Sequence, residues 1–357
     1  MLLLIVFMFS ISATADVITR IDLEFKDYTA MNYKKTFFEK FKSIAYENKS
    51  SPGIMKIERK EFKIKLKTNG ELPKHWDSNT KSYNVTIIGS LYKKMNRFNL
   101  VRLADKSYFA EGFALQLAKE SGLLVPYYEY INLCISKDCE LYLMKEDLAK
   151  NFIESRYLRG SSFFKPDFGF KKFVNKHPTV YKNSYQSSFS SKNPALYNHL
   201  FYKTIGSENN NFMFRHLLKN GKKLHKSKYK VWFYIQKFFG SFHASEMDNK
   251  VWFFNIQTFK FEPILHDVLL SNYKYSILES VNYLRNYDYL LRNLDISSQE
   301  IPKQIFASMK ALDPYEWKGK HKKYLSIEQI SQVDELIHVW KNNLEKIGKE
   351  LKGKNSQ

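Results

Sequence analysis

Short segments in which apolar and charged residues alternate recur through the first 150 positions, and they constrain the fold more than any other feature. Residues 61–67 alternate strictly, which predicts a strand with one buried face that ends at the Thr-Asn-Gly of 68–70. Similar patterns predict further strands at 82–88, 97–101, 128–135 and 140–144. Helical spacing predicts helices at 27–47, 107–121 and 145–157. Several strands, one helix and then a hairpin indicate an α+β lobe rather than alternating βαβ units.

The chain divides into four parts. Residues 1–15 combine a short apolar run with Ala13-Thr14-Ala15, a small-residue cleavage pattern, and predict a secretion signal and export to a periplasmic, cell-surface or extracellular location. Residues 16–150 form the N-terminal α+β lobe and 151–230 an insertion or connecting region. Residues 231–357 predict a mostly helical C-terminal lobe that is interrupted by a hairpin and ends in a helix at 326–351. No later segment is apolar for long enough to predict a membrane span.

Cys134 and Cys139 are the two cysteines of the chain, and the Ser-Lys-Asp between them reads as a hairpin turn. Such a turn places the two sulfurs opposite each other, so we expect a disulfide across the hairpin in an exported protein. A metal site needs more ligands than two thiols. The pair is therefore predicted to be structural.

The composition favours a folded protein with an anionic partner. Hydrophobic residues make up 44% and aromatic residues 16% of the chain, well above the content of a disordered sequence. The formal net charge of +21 implies attraction to phosphates, anionic polymers, acidic proteins or membrane surfaces. No helix-turn-helix, zinc-finger or ribonucleoprotein-type motif accompanies this charge, so nucleic acid is not the expected partner.

Residues 248–267 predict an apolar hairpin with polar residues at its open end. Asp248-Asn249 precedes the first strand and Asp267 follows the second. Because two antiparallel strands bring their outer ends together, we expect Asn249 and Asp267 to lie side by side. Amide and carboxylate oxygens are suitable ligands for a divalent cation. Solvated ends of an ordinary hairpin are the alternative interpretation.

Three motifs in the first lobe are similar to motifs of a known protein family. They are Ala-Lys-Glu-Ser-Gly-Leu-Leu-Val-Pro at 118–126, Tyr-Ile-Asn-Leu at 130–133 and Leu-Tyr-Leu-Met-Lys-Glu-Asp at 141–147. Together with Phe-Glu-Pro-Ile-Leu-His-Asp at 261–267, their order and spacing resemble the spore-coat protein H (CotH) kinase family over roughly residues 58–271.

The resemblance implies an atypical, two-lobed protein-kinase-like fold that transfers phosphate from ATP, with Mg²⁺, to Ser or Thr of cell-envelope or coat proteins. Asp267 and Asn249 match the metal-binding residues. Lys81 matches a lysine that contacts the nucleotide phosphates. Glu111 lies on the helix that would pair with such a lysine, as in kinases.

The sequence also departs from the family pattern. The second acid of the family's Trp-Asp-x-Asp step is missing after Asp267, and no Asp stands clearly at the position of the catalytic base. His243, Glu246 and Asp248 are the candidates for that base, since each can accept a hydroxyl proton. The alternatives are a catalytically impaired, pseudokinase-type protein that binds envelope or coat components, or a different group transfer.

Overall fold

The computed structural model describes residues 18–25, 50–68, 81–158, 161–167, 201–205, 224–240, 251–272 and 300–353. Within these ranges the strands are β1 Thr19–Phe25, β2 Ser51–Ile57, β3 Lys60–Thr68, β4 Tyr83–Ile87, β5 Arg97–Arg102, β6 Tyr128–Ile135, β7 Asp138–Glu146, β8 Ser162–Asp167, β9 Phe201–Ile205, β10 Trp252–Asn255 and β11 Lys260–Pro263. The α-helices are α1 Ala110–Glu120, α2 Lys150–Ser155, α3 Lys226–Phe238, α4 Glu300–Ala311, α5 Pro314–His321 and α6 Ile327–Gly353.

The first seven strands form a closed barrel in the order β1-β2-β3-β4-β5-β7-β6. All neighbours pair antiparallel except β1 and β6, whose parallel pairing closes the barrel. Inward-facing residues such as Ile64, Val85 and Phe98 fill its interior. Because strand side chains alternate between faces, the intervening residues of each strand lie on the outside.

The prediction of a two-lobed protein-kinase-like fold is wrong, because the N-terminal half is a closed seven-stranded barrel. The sequence patterns identified β3 to β7 but not β1 or β2, and β1 is the strand that joins both ends of the sheet. Without β1, the strands predicted from the sequence form an open sheet rather than a barrel. Barrel closure therefore depends on pairings that the alternating patterns do not reveal.

A helical layer covers one side of the barrel. Outward-facing residues of β5 and β7, such as Val101 and Leu143, share a core with α1, α3, α4 and α6. Trp340 of α6 lies at its centre, with ring centroids 5.9 Å from Phe109, 5.6 Å from Phe113 and 5.4 Å from Phe239. No helix in the described ranges combines the length and apolarity that crossing a membrane requires.

A second sheet has the strand order β11-β10-β8-β9, with antiparallel pairing throughout. Its β10–β11 hairpin is the one predicted from the sequence, shortened to Trp252–Asn255 and Lys260–Pro263. A parallel bridge between Leu124 and Ile264 joins the end of this hairpin to the chain that follows α1. The residues after β11 are thereby held beside the barrel.

Several local predictions are confirmed and one is wrong. The strand at 128–135 and the helix at 326–351 agree with β6 and α6, and Cys134 and Cys139 form the predicted disulfide across the β6–β7 turn. The helix predicted at 145–157 is shorter, since β7 continues to Glu146 and α2 covers only Lys150–Ser155. Lys145 is therefore a strand residue. The signal at 1–15 and the helix at 27–47 lie outside the described residues.

Candidate functional site

A buried ion pair joins the barrel to the first helix. Lys145 Nζ of β7 donates to Glu111 Oε1 of α1 at 2.5 Å. Lys145 lies on the same outer face as Leu141 and Leu143, against which α1 packs, because alternate strand residues share a face. The Glu111 side chain is fully buried and that of Lys145 is 11% exposed. Charges are almost never buried to this extent unless they are paired.

The protonation state of Glu111 follows from its surroundings. Burial by itself raises the pKa of Glu111, but the charges of Lys145 and Lys106 and the hydrogen bond from Lys145 outweigh it. The net effect holds the pKa of Glu111 below the ordinary value of 4.5, so the side chain is a carboxylate at neutral pH.

Asp267, in the segment that follows β11, contacts the same pair. Its backbone N–H donates to Glu111 Oε1 at 2.8 Å, and its carboxylate forms an ion pair with Lys106. The backbone of Asp267 has a φ of 59°, a left-handed conformation that Asp and Asn adopt more readily than most residues. We call Lys106, Glu111, Lys145 and Asp267 the charged cluster.

The corner between β5 and α1 positions two members of this cluster. A single 3₁₀ turn over Leu103–Lys106 follows β5, and Ser107 and Tyr108 then take positive φ values of 52° and 54°. Lys106 before these two residues and Glu111 after them both contact Asp267. Ser107 Oγ accepts the N–H of Leu270 at 3.1 Å, which holds the segment after Asp267 against this corner.

One oxygen of the cluster has no partner among the described residues. Glu111 Oε2 is buried and accepts no hydrogen bond within this part of the chain. A buried carboxylate oxygen without a donor is costly, and such atoms often mark positions where a cation or a proton donor binds. The charged cluster therefore contains one carboxylate oxygen whose hydrogen-bonding capacity the described residues do not use.

A row of polar residues leads across the outer face of the barrel to Lys145. The strand registers pair Lys67 with Asn84, Asn84 with Asn99, and Asn99 with Lys145. Asn84 Nδ2 donates to Asn99 Oδ1 at 3.0 Å. Neighbouring strands lie about 4.8 Å apart, so the row spans about 14 Å and has a lysine at each end.

The charged cluster contains two carboxylates, those of Glu111 and Asp267, and the described residues form no complete metal site around them. No group of three or more His, Cys, Asp or Glu side chains in the described ranges is arranged to hold a metal ion. Magnesium in phosphate-transfer sites needs only one or two carboxylates, because phosphates and water supply the other ligands. Asp267 and the unpartnered oxygen of Glu111 are such carboxylates.

The residues predicted for the site have different positions in the structure. Glu111 and Asp267 meet, as described above. Lys81 lies at the start of β4, where its backbone oxygen accepts a hydrogen bond from Tyr142 Oη at 2.9 Å, and the lysine bonded to Glu111 is Lys145. The remaining predicted residues, His243, Glu246, Asp248 and Asn249, lie outside the described residues.

Lys145 and Lys106 are the residues that the sequence analysis missed. Lys145 belongs to a quoted motif but was placed at the start of a helix. A usable signal was present, because Leu141 to Met144 is an uninterrupted apolar run typical of a strand buried on both faces. A lysine that continues such a strand requires a carboxylate partner.

A scan against protein-family models finds no match to this chain, and a search of curated proteins finds no significantly similar sequence.

Proposed function

We propose that the protein binds ATP with magnesium at the charged cluster and transfers phosphate to a hydroxyl group, with Ser or Thr of envelope or coat proteins as the acceptors. The observation that carries this proposal is the buried Lys145–Glu111 pair beside Asp267. Kinases require a strand lysine paired with a helix glutamate and, close by, a magnesium-binding aspartate. The same chemistry occurs on unrelated folds, so the barrel does not argue against it.

Each member of the cluster has a distinct role in this proposal. Lys145 donates to phosphate oxygens while Glu111 holds its side chain in place. Asp267, with Glu111 Oε2, would hold magnesium, which supplies charge neutralisation at the phosphates when bound. Lys106 neutralises Asp267 before the nucleotide arrives. The base that accepts the hydroxyl proton stays a prediction among His243, Glu246 and Asp248.

Thermal unfolding with and without ATP and magnesium tests binding. A ligand at about 100 times its Kd stabilises a folded protein by about 2.7 kcal/mol, which gives a measurable rise in Tm. We expect this rise in the wild type and its loss in Asp267→Asn, a substitution that tolerates the left-handed backbone at this position. Lys150→Met is the matched control, since Lys150 is 78% exposed on α2 and should behave like the wild type. Absence of any ATP-dependent stabilisation of the wild type would sink the proposal.

Transfer itself is tested by measuring phosphate incorporation into envelope proteins or a Ser/Thr peptide. We expect Lys145→Met to abolish incorporation and Lys150→Met to leave it unchanged. His243→Ala, Glu246→Ala and Asp248→Ala then identify the base. If none of the three variants loses turnover, the base lies elsewhere.

The outer face of β3 favours a second candidate, a non-catalytic protein that binds anionic polymers. Lys63 and Lys65 are exposed and Lys67 is half-buried, and all three project from the barrel on one side of a strand. A triple change of these residues to Gln should weaken sedimentation with poly(glycerol phosphate), and added salt should weaken it for the wild type. Polymer binding without any ATP response would favour this candidate over phosphate transfer.

Export remains part of the proposal. The Cys134–Cys139 disulfide supports it, because disulfides persist mainly in oxidising compartments. Sequencing the N-terminus of the mature protein tests it. A chain that starts at Met1 and resides in the cytoplasm would contradict export.

A further inference from the structure

Gly112 follows Glu111 directly, and at this residue α1 lies against Tyr130 of strand β6. A Cβ atom at this position would overlap the hydroxyl oxygen of Tyr130 and would lie 2.9 Å from Cζ and 3.1 Å from Cε2 of the same ring. Real Cβ atoms essentially never come this close to a neighbour. Any side chain at position 112 therefore requires either the helix or the tyrosine to move.

Tyr130 is held on its other side. Its ring centroid lies 5.4 Å from that of Trp317 and 5.0 Å from that of His321, both on α5. Trp317 and His321 stack on each other with centroids 4.4 Å apart, and both are buried. Because Tyr130 packs on these two rings and its hydroxyl donates to the Phe109 carbonyl just before α1 at 3.4 Å, part of the displacement falls on α1.

The helix transmits such a displacement to the charged cluster. Glu111 is the next residue toward the N-terminus, and its Oε1 atom receives the Lys145 and Asp267 hydrogen bonds at 2.5 Å and 2.8 Å. Hydrogen bonds to charged groups depend strongly on distance and direction. A shift of α1 by a few tenths of an ångström or more weakens both contacts.

We propose that Gly112 is a positioning residue: the absence of a side chain allows α1 to lie against Tyr130 and thereby seats Glu111 on Lys145. Gly112 lies in the first turn of α1 and is buried, and a side chain at this position would overlap the Tyr130 ring, so the close approach accounts for a glycine here. The geometric part of this inference stands alone, and its consequence for ATP rests on the proposed function.

The chemical reactivity of Lys145 tests the inference without reference to activity. The protein is labelled with a limiting amount of acetic anhydride across a range of pH, and the acetylation of each lysine is measured by peptide mass spectrometry. In the wild type we expect Lys145 to react slowly. In Gly112→Ala we expect it to react about fivefold to tenfold faster, as the loss of roughly one hydrogen bond implies.

Three references make the measurement specific. Gly319→Ala is the matched control, because Gly319 also lies in a helix but a Cβ there meets nothing within 4 Å, and Lys145 should keep its wild-type rate. Lys237 of α3, which is 1% exposed, reports any general loosening of the structure. Adding Tyr130→Phe to Gly112→Ala removes the oxygen that the new Cβ overlaps and should return Lys145 partway to the wild-type rate.

Two results would overturn the inference. One is an unchanged rate for Lys145 in Gly112→Ala. The other is an equal acceleration of Lys145 and Lys237, which would mean that the substitution loosens the whole core.

A parallel titration with ATP and magnesium separates the inference from the function. If the wild type binds ATP, Gly112→Ala should raise the Kd about fivefold or more, in step with the reactivity of Lys145. If the wild type binds no ATP, the proposed function fails, and the lysine reactivities still decide the role of Gly112.

Discussion

The Lys145–Glu111 pair yields a prediction that separates stability from function. Removing one partner of a buried ion pair leaves an uncompensated charge and typically costs 3–5 kcal/mol, whereas replacing both partners by apolar residues of similar volume is often neutral or better. Lys145→Met leaves Glu111 with the Asp267 N–H and nearby Lys106, so we expect the low end of this range, about 3 kcal/mol. Glu111→Leu leaves the Lys145 ammonium buried without its carboxylate partner and removes the acceptor of the Asp267 N–H. We expect this variant to lose about 3 kcal/mol as well.

The double variant is the informative one. Glu111→Leu with Lys145→Met removes both charges and leaves only the Asp267 N–H without its acceptor, a loss of about 1 kcal/mol. The two single costs sum to about 6 kcal/mol, so the double variant should be far more stable than additivity implies. If the proposed function is correct, this near-stable protein nevertheless fails to bind ATP.

Urea unfolding at pH 7.5, followed by tryptophan fluorescence with the disulfide intact, measures the three free energies of unfolding. The exposed Lys150–Glu154 pair is the control, with side chains 78% and 43% exposed, and its variants should each change stability by less than about 0.5 kcal/mol. Single costs below about 1 kcal/mol, or additive costs, would refute the reasoning, because they would show that water solvates the pair.

Further predictions concern pH, the disulfide and the core. Burial lowers the pKa of His321 from 6.5 to about 4, against the hydrogen bond with the Trp317 carbonyl. Between pH 6.5 and 4 the histidine is protonated in the unfolded chain but neutral in the folded protein. The free energy of unfolding should therefore fall by about 3 kcal/mol as the pH decreases through this range. His321→Phe should remove this pH dependence when unfolding is measured in urea. Replacing Cys134 and Cys139 by Ala should cost about 2 kcal/mol by the chain-entropy model, given a sequence separation of 5, and a change in the free energy of unfolding below about 0.5 kcal/mol would contradict it. Trp340→Ala should cost about 3–5 kcal/mol because Trp340 is 1% exposed, whereas Ala at the half-exposed Tyr315 should cost under about 1 kcal/mol in the same assay.

Glu111 also makes the stability of the protein depend on pH under acidic conditions. The pKa of Glu111 is lowered in the folded protein, so its ion pair stabilises the fold fully above the unfolded value near 4.5, and this stabilisation is lost as the pH falls through the folded value. His321 acts at higher pH than Glu111. Lys145→Met should therefore lower stability at neutral pH and flatten the curve below about pH 5, where the wild type loses its ion pair, whereas His321→Phe should flatten the curve between pH 6.5 and 4.

The local patterns predicted individual elements well where each strand has one buried face. Residues 61–67 alternate because β3 turns Phe62, Ile64 and Leu66 into the barrel. The turn between Cys134 and Cys139 joins adjacent antiparallel strands, so a local reading places both sulfurs correctly. The strand predicted at 140–144 is confirmed, but its end was placed two residues early, because a charged residue after an apolar run resembles the start of a helix and β7 in fact continues to Glu146.

The sequence by itself determined which residues form most barrel strands and where the disulfide lies, because these properties depend on neighbours a few positions away through side-chain alternation and turn chemistry. Asp267 was a candidate for a site from its place at the hairpin end and from the family resemblance, and Glu111 from the resemblance alone. The tertiary structure alone decided that β1 closes the sheet into a barrel and that Lys145 is the partner of Glu111. The contacts of Glu111 with Lys145 and Asp267 span 34 and 156 residues, and no local pattern encodes a partner at that separation. Packing of α1 on the barrel assembles the charged cluster, because it buries Glu111 where Lys145, Lys106 and the Asp267 N–H compensate its charge.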